Sequence, residues 1–543
     1  MADGHDLRAA PEQARRRLLP VPSLPPADLE ALARQMLDEP LNDTGAATRL
    51  LAMHGEHLLY IHGLGWGVWD GDRFDFADGM VHGTRFVRNL RPLVEAEAEL
   101  LKDDGKRRKR ERFATDLGNM PQMRRVLDAS RDAYWVTVDH LDANPLALTC
   151  PNGTVDLFAA YRWERPEGAT CEEEVAARAS WLRDTNPAEC PTRVTGTPYD
   201  PAADCPKWRA FVELILPDPA EREALQRLLG YLLSGDNPEA ACVILRGPGG
   251  NGKTTLLTTL RHVLGTRHGY AEGCNVDMFV QTPARQQGAH NSDEIDLPGA
   301  RVYIATEPDA RDVLDMRKIK SLTGGDVRKS RGAYEKASFA WTPRGVPILS
   351  VNRTPRIKDG DDGTRRRLIF VPLEVNLKEL PPEKRRPAYE VEAELRAEAA
   401  GILNWLIDGW RDYKAQGLAL PNKWRDLRDR LLGGADPVTQ FLREMTEAAP
   451  GLRPLARIPR ADFNRVFAVW AAEEGAATWS SKAVTDAMTE AGYTEKKHGV
   501  ICWEHIRWTA DAREMVERVL GRPVSPPQVA PSPASPPHDP PPF

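Results

Sequence analysis

With 543 residues, 41% hydrophobic and 28% charged, the chain has an ordinary globular balance and is too long for a single hydrophobic core, so several domains are expected. No apolar run is long enough to span a membrane, and the N-terminus lacks the apolar stretch of a secretory signal. Seven cysteines without a CxxC pair argue against a disulfide framework and a structural zinc site and fit a cytoplasmic location, while a net charge of −6 would be unusual for a protein that simply coats nucleic acid but does not exclude one that grips it locally.

Residues 1–45, rich in Pro, Ala and charge, read as a flexible arm with a short helix over 27–36. Residues 46–200 form a Trp-bearing, mixed α+β region. Within it, residues 63–71 (GLGWGVWDG) predict short strands and a tight turn, and residues 151–157 (PNGTVDL) repeat the theme, because Asp-Gly and Asn-Gly favour positive φ. The basic run at 106–110 (KRRKR) reads as a solvated surface. Over 201–236, Trp208, Phe211, Val212 and Ile215 fall at helical spacing, as do Leu225, Leu228, Leu229 and Leu232.

From 237 to 375 apolar strands alternate with helices, the pattern of an α/β domain with a parallel sheet. A strand over 241–245 and a helix over 255–264 bracket Gly247, Pro248, Gly249, Gly250, Asn251, Gly252, Lys253 and Thr254, followed by Thr255. This is a full G-x-x-x-x-G-K-[ST] phosphate loop. Its glycines turn N–H groups toward phosphate, and the helix N-terminus adds partial positive charge. Lys253 can reach the β- and γ-phosphates of ATP, and the Thr254 hydroxyl can hold Mg²⁺.

Three further elements would complete a hydrolase. Residues 301–307 (RVYIATE) place Glu307 at the end of a strand, where an acid can help hold Mg²⁺ or orient water. Residues 346–352 (VPILSVN) end in Asn352, which is either a turn former before Pro355 or an amide that bonds the attacking water. Arg365, Arg366 and Arg367 stand immediately before another strand, as a charged turn or as arginines that reach a neighbouring subunit's nucleotide. Residues 319–334, with Lys320, Gly324, Gly325, Arg328, Lys329, Arg331 and Tyr334, suit a basic hairpin, either solvated or tracking a nucleic-acid backbone.

A helical segment over 376–435 includes a helix at 390–413. Residues 436–512 predict helices at 437–448, 460–474 and 480–492 and two short strands, 500–503 and 506–508. That order is winged-helix-like, with 480–492 in the recognition position. Lys482 is that helix's only cation beside Asp486 and Glu490, so DNA binding and protein binding both stay open. Residues 513–543 form a Pro-rich tail expected to be disordered.

In this order the motifs resemble the superfamily 3 helicases of the AAA+ class, and more narrowly the phage/plasmid primase-helicases related to the poxvirus helicase. The phosphate loop, residues 301–307, Lys320-x-x-Thr-Gly-Gly-Asp326 with Arg331, Asn352, and Arg366-Arg367 carry the resemblance. Upstream, residues 152–157, 197–201 and Lys207-Trp208 look like the family's helicase-associated N-terminal region. The resemblance implies an ATP hydrolase and helicase: a hexameric ring translocating 3′ to 5′ on one strand of forked DNA, with ATP bound between subunits. It implies Glu307 as the Walker B acid, Asn352 as sensor 1, and Arg366 or Arg367 as the finger acting in trans. Lys320, Arg328, Lys329 and Arg331 would face DNA. The strand before Glu307 lacks the Asp that often precedes this acid, so Mg²⁺ is expected to rest mainly on Thr254 and water. Residues 1–45 leave no room for a primase domain, so a separate primase or initiator is the expected partner, and the expected setting is a bacterial cytoplasm with a phage, prophage or plasmid origin. The alternative reading is an initiator that uses ATP to assemble on origin DNA and recruits another helicase.

Overall fold

Cys242–Arg246 is apolar on both faces apart from its last residue, the pattern of a strand covered on each side. In the computed structural model it is the first strand, β1, of a five-stranded parallel sheet. The others are β2 (Ala271–Gly273), β3 (Val302–Thr306), β4 (Val346–Val351) and β5 (Leu368–Pro372). Their spatial order is β5-β1-β4-β3-β2, with Ile369 beside Val243, Ile348 beside Val243 on the other flank, and Ile348 beside Ile304. All five strands run the same way, so Arg246, Thr306 and Val351 finish at one edge, where α/β sheets place their ligands. The structure describes residues 21–523 except 167, 169, 267, 282–293, 307–311, 331–337, 353, 356, 358–361, 382–384, 433–436, 450–455 and 475–478.

One face of the sheet is covered by helix α1 (Lys253–Leu264) and by helices before and after it in sequence, Pro206–Ile215, Pro219–Tyr231 and Ala399–Gln416. The helix expected over 390–413 is two helices, Ala388–Ala397 and Ala399–Gln416. The break at Glu398 frees its carboxylate to accept from the N–H groups of Lys207 (3.1 Å) and Trp208 (3.0 Å), capping Pro206–Ile215. Upstream, the strands Ala147–Cys150 and Gly153–Asp156 form a hairpin, and Asn152 in its turn exchanges two 2.9 Å hydrogen bonds with the Tyr199 backbone. Residues 151–157 and 197–201, far apart in sequence, are thereby held together.

A three-stranded antiparallel meander, Leu58–Ile61, Gly65–Trp69 and Phe74–Asp75, lies among six helices between Pro26 and Ala129. The arm expected over 1–45 is not loose in its second half. Helix Pro26–Gln35 buries Ala33 and lays Leu29 and Leu32 on the core around Trp66 and Phe86. The run at 106–110 also departs from a solvated surface at one residue. Arg110 and Arg49 share the fully buried Glu97 carboxylate, at 2.9 Å and 2.7 Å, while Lys106 to Lys109 stay exposed.

Past residue 436 the order is helix Pro437–Met445, strand Thr446–Ala448, strand Arg457–Pro459, helices Arg460–Glu473 and Ser481–Glu490, and strands Glu495–His498, Val500–Glu504 and Ile506–Trp508. Val500–Glu504 turns back on Glu495–His498 and also pairs with Arg457–Pro459, whereas Ile506–Trp508 pairs with Thr446–Ala448. The two strands expected at 500–503 and 506–508 therefore pair with different partners, and the hairpin lies one strand earlier, turning at Gly499 (φ +74°). The tail expected from 513 begins with a helix, Arg513–Leu520, whose Val516 is buried with the core of this unit. No helix among the described residues is long and apolar enough to cross a membrane.

Candidate nucleotide site

The loop after β1 rises from the edge where the strands end. Gly252 sits at φ +84°, and a Cβ there would meet Ile215 at 2.8 Å and Phe211 at 3.2 Å, so glycine alone lets the loop turn into α1 against the helix below. Lys253 is the first residue of α1 and is 6% exposed. Its ammonium donates to the carbonyls of Gly247 and Pro248, to Asn251 Oδ1 at 3.1 Å and to Asn352 Oδ1 at 3.2 Å. The same Asn251 side chain donates through Nδ2 to the Leu373 carbonyl at 2.6 Å, tying the loop to the end of β5.

Asn352 follows β4, the strand adjacent to β1, which is why two residues 99 positions apart share a hydrogen bond. Thr254 faces the cleft and is exposed, while Thr255 is buried beside it. β3 delivers Thr306 to the same edge, level with Ser350 of β4. Glu307, the next residue, lies outside the described residues. A Mg²⁺–nucleotide fits this donor set: an exposed Thr hydroxyl, an ammonium held on loop carbonyls, and backbone turned by Gly250 and Gly252 at positive φ. Among the described residues no group of three or more His, Cys, Asp or Glu could hold a metal without it.

The loop opens into a cavity of about 790 Å³. Gly249 to Thr255, Ser350 and Asn352 form its polar floor, and Phe211, Leu214, Val391 and Leu395 form an apolar wall suited to a base. Sequence patterning showed Phe211 only as a helix-periodic apolar residue; nothing local marked it or Leu395 as lining a site. At the mouth, Arg386 meets Glu394 through both guanidinium ends at 2.8 Å, and Lys207 lies 3.5 Å from the same carboxylate. The Arg386 hydrogen bonds hold the Glu394 carboxyl down to about 2.

The candidate arginines before β5 lie at the opposite edge. Arg365, Arg366 and Arg367 end the helix Asp362–Arg367, immediately before β5, and Arg366 is the most exposed of the three. Since Leu368 pairs with Cys242, these arginines stand where β1 begins, not where its phosphate loop emerges. The stretch expected as one hairpin from Lys320 is divided. Lys320 belongs to helix Met316–Thr323, and Gly324-Gly325 ends that helix instead of turning a hairpin. The hairpin begins later: Arg328–Ser330 pairs with Phe339–Trp341, fastened by Trp341 Nε1 donating to Ser330 Oγ at 2.9 Å. Arg328 is engaged by the Glu294 carboxylate, Lys329 is exposed, and Arg331 lies outside the described residues.

Comparison with known proteins gives the same direction. Residues 47–217 match the family described as D5 N terminal like. A protein of Acanthamoeba polyphaga mimivirus named "Putative helicase L207/L206" is 30% identical over 239 residues. That match covers 43% of this chain but only 22% of the mimivirus protein. Two solved structures of the NrS-1 C-terminal region cover 56% and 55% of this chain and 75% of theirs, at 11% and 13% identity. Their TM-scores are 0.28 and 0.31.

Proposed function

We propose that this chain, a member of the phage and viral primase-helicase family, is an ATP-driven DNA helicase whose AAA+ core works as a ring, hydrolysing ATP between subunits while moving 3′ to 5′ on one strand. The observation that carries this reading is the 3.2 Å contact between Lys253 and Asn352 at the ligand edge of a parallel sheet. It brings the lysine that opens the helix after β1 to the amide that follows the adjacent strand β4, in a cleft with an apolar wall. A phosphate loop whose strand β1 is set apart from β3, the strand preceding Glu307 in sequence, by β4 fits the AAA+ reading as well.

In this reading Lys253 exchanges its loop carbonyls for the β- and γ-phosphate oxygens as ATP enters. Thr254, with Glu307, would hold Mg²⁺, which supplies charge neutralisation on the transferring phosphoryl group. Glu307 orients the attacking water and accepts its proton, and Asn352 donates to that water or to the γ-phosphate without adding negative charge. Arg366 or Arg367 of a neighbouring copy stabilises the charge that develops. Lys320, Arg328, Lys329 and Arg331 are the proposed contacts to single-stranded DNA.

The test is unwinding of 3′- and 5′-tailed forks with ATP and Mg²⁺. Separation of the 3′-tailed fork by the native chain, lost in Lys253→Ala, is the expected result. ATP hydrolysis without strand separation, together with tight ATP-dependent duplex binding, would favour the initiator reading instead. The helix-helix-hairpin order of residues 460–504, which suits a winged helix, is the observation that keeps that reading in play.

A further inference from the structure

After β5 the chain folds back over the phosphate loop as a strap. Its start is fixed by Asn251 Nδ2 donating to the Leu373 carbonyl at 2.6 Å, and its middle by the Leu377 N–H donating to the Gly250 carbonyl at 2.8 Å. Between these ties and the cleft lies Lys378. A Cβ placed on Gly250 would sit 3.0 Å from Lys378 Cε and 3.2 Å from its Cδ and Cγ, so the lysine's methylene run lies along the loop. The ammonium is thereby delivered to the cleft that Lys253 and Thr254 also line, while Lys378 itself stays exposed.

The other cations at the cleft mouth have protein partners. Arg386 and Lys207 face Glu394, and Arg385 donates to the Leu380 carbonyl at 2.5 Å. Lys253 is satisfied by the loop and Asn352. Among the described residues, the Lys378 ammonium meets no acceptor, although its stem is packed against the loop and its backbone N–H donates to Asn376 Oδ1 at 3.1 Å. A lysine with a restricted stem and an unengaged charge loses less freedom on meeting an anion than a fully mobile one.

We propose that Lys378 is a second phosphate-binding lysine, supplied in cis by the strap, which engages the phosphate chain of the bound nucleoside triphosphate. The proposal rests on the nucleotide-site reading above. It separates the roles of two lysines: Lys253 arises from the helix below the phosphates, whereas Lys378 closes over the loop from the strap.

The experiment is titration of the full chain with fluorescently labelled ATP, ADP and adenosine, alongside Lys378→Met and Lys378→Arg. Methionine keeps a stem that can lie on Gly250 and removes the charge. Lys378→Met is expected to bind ATP about tenfold more weakly, equivalent to about 1.4 kcal/mol, and ADP less severely affected. Adenosine binding and nucleotide-free thermal stability should not change, and Lys378→Arg should recover most of the ATP affinity. Unchanged ATP affinity in Lys378→Met overturns the proposal. An equal loss for adenosine does so too, since it would mean the lysine only holds the strap in place. Failure of the native chain to bind ATP would overturn the nucleotide reading and this inference together, and is told apart by being visible without any substitution.

Discussion

The two edges of the central sheet are built differently. Where the strands end, the phosphate loop, Asn352 and the strap close on one another within a single chain, and the Lys253 ammonium alone gathers four acceptors. Where they begin, Arg365 to Arg367 precede β5, and the hairpin Arg328–Ser330/Phe339–Trp341 precedes β4. The five paired residues of β1 and β5 separate those arginines from their own phosphate loop by roughly 17 Å, at about 3.3 Å per residue. No arginine side chain crosses that gap. One edge gathers the phosphate-loop motif, Asn352 and a deep cleft within one chain, and the other presents Lys329 and Arg366 to solvent. The lesson is that, if these arginines serve hydrolysis, they serve it for a neighbour.

The largest expected effect tests that division directly. Replacing Arg366 and Arg367 together by Ala should lower ATP turnover by roughly 10³–10⁵, the range for an arginine acting in trans, while ATP binding stays near native. Lys253→Ala should also fall to background, by losing the nucleotide site. Mixing the two inactive proteins should restore measurable turnover, because some interfaces would then pair an intact loop with intact arginines. Steady-state hydrolysis across mixing ratios gives the answer, and a mixture no more active than its parts would break the comparison. Asn352→Ala comes next: kcat should drop by roughly 10²-fold with little change in ATP affinity, as for loss of one preorganised donor. A parallel loss of affinity would reassign Asn352 to holding Lys253.

How much of this was legible depended on distance along the chain. The phosphate loop could be read because strand, glycines, lysine and helix lie within some two dozen consecutive residues, each with a local physical role. The apolar wall was not legible. Phe211 and Val391 reach it from helices on either side of the core in sequence, and only the fold brings them to one cavity. The Gly324-Gly325 pair shows a different failure. Glycines end helices and turn hairpins by the same freedom at positive φ, so the sequence could not say which, and the hairpin was placed too early. Arg110 was misread for a similar reason: a run of five cations gives no sign that one has a buried carboxylate 13 residues away.

At the strand-entry edge, neighbouring cations should separate by role. Arg328→Ala leaves the Glu294 carboxylate, 4% exposed, without its guanidinium and should cost about 3 kcal/mol in a denaturant titration. Lys329→Ala should leave stability within about 0.5 kcal/mol. It should instead weaken single-stranded DNA binding and reduce the salt slope by about 1, as for one lost phosphate contact. If Lys329→Ala binds DNA with an unchanged slope, this edge is a solvated surface and the contrast between the two edges loses half its content.

The smallest effect concerns what supports that edge. Leu59, Ile61 and Phe74 of the N-terminal meander share a hydrophobic core with Phe339 and Trp341, so the upstream region underlies the hairpin. Gly63 makes the closest approach: a Cβ there would lie 3.2 Å from Phe339 N and Ser338 C and 3.3 Å from Phe339 Cβ. Its φ of +92° is also a conformation that L side chains rarely adopt. Gly63→Ala therefore combines backbone strain of roughly 1–2 kcal/mol with a push on the second hairpin strand. Both act at the strand-entry edge, and neither touches the cleft. Basal ATP hydrolysis and ATP affinity should stay native, while stimulation by single-stranded DNA falls about two- to fivefold, the size of change 0.5–1 kcal/mol brings. Hydrolysis measured with and without DNA separates the terms: an equal fall in both would mean that the meander props the whole core, and a fall in stimulation alone would mean that it sets the hairpin's position.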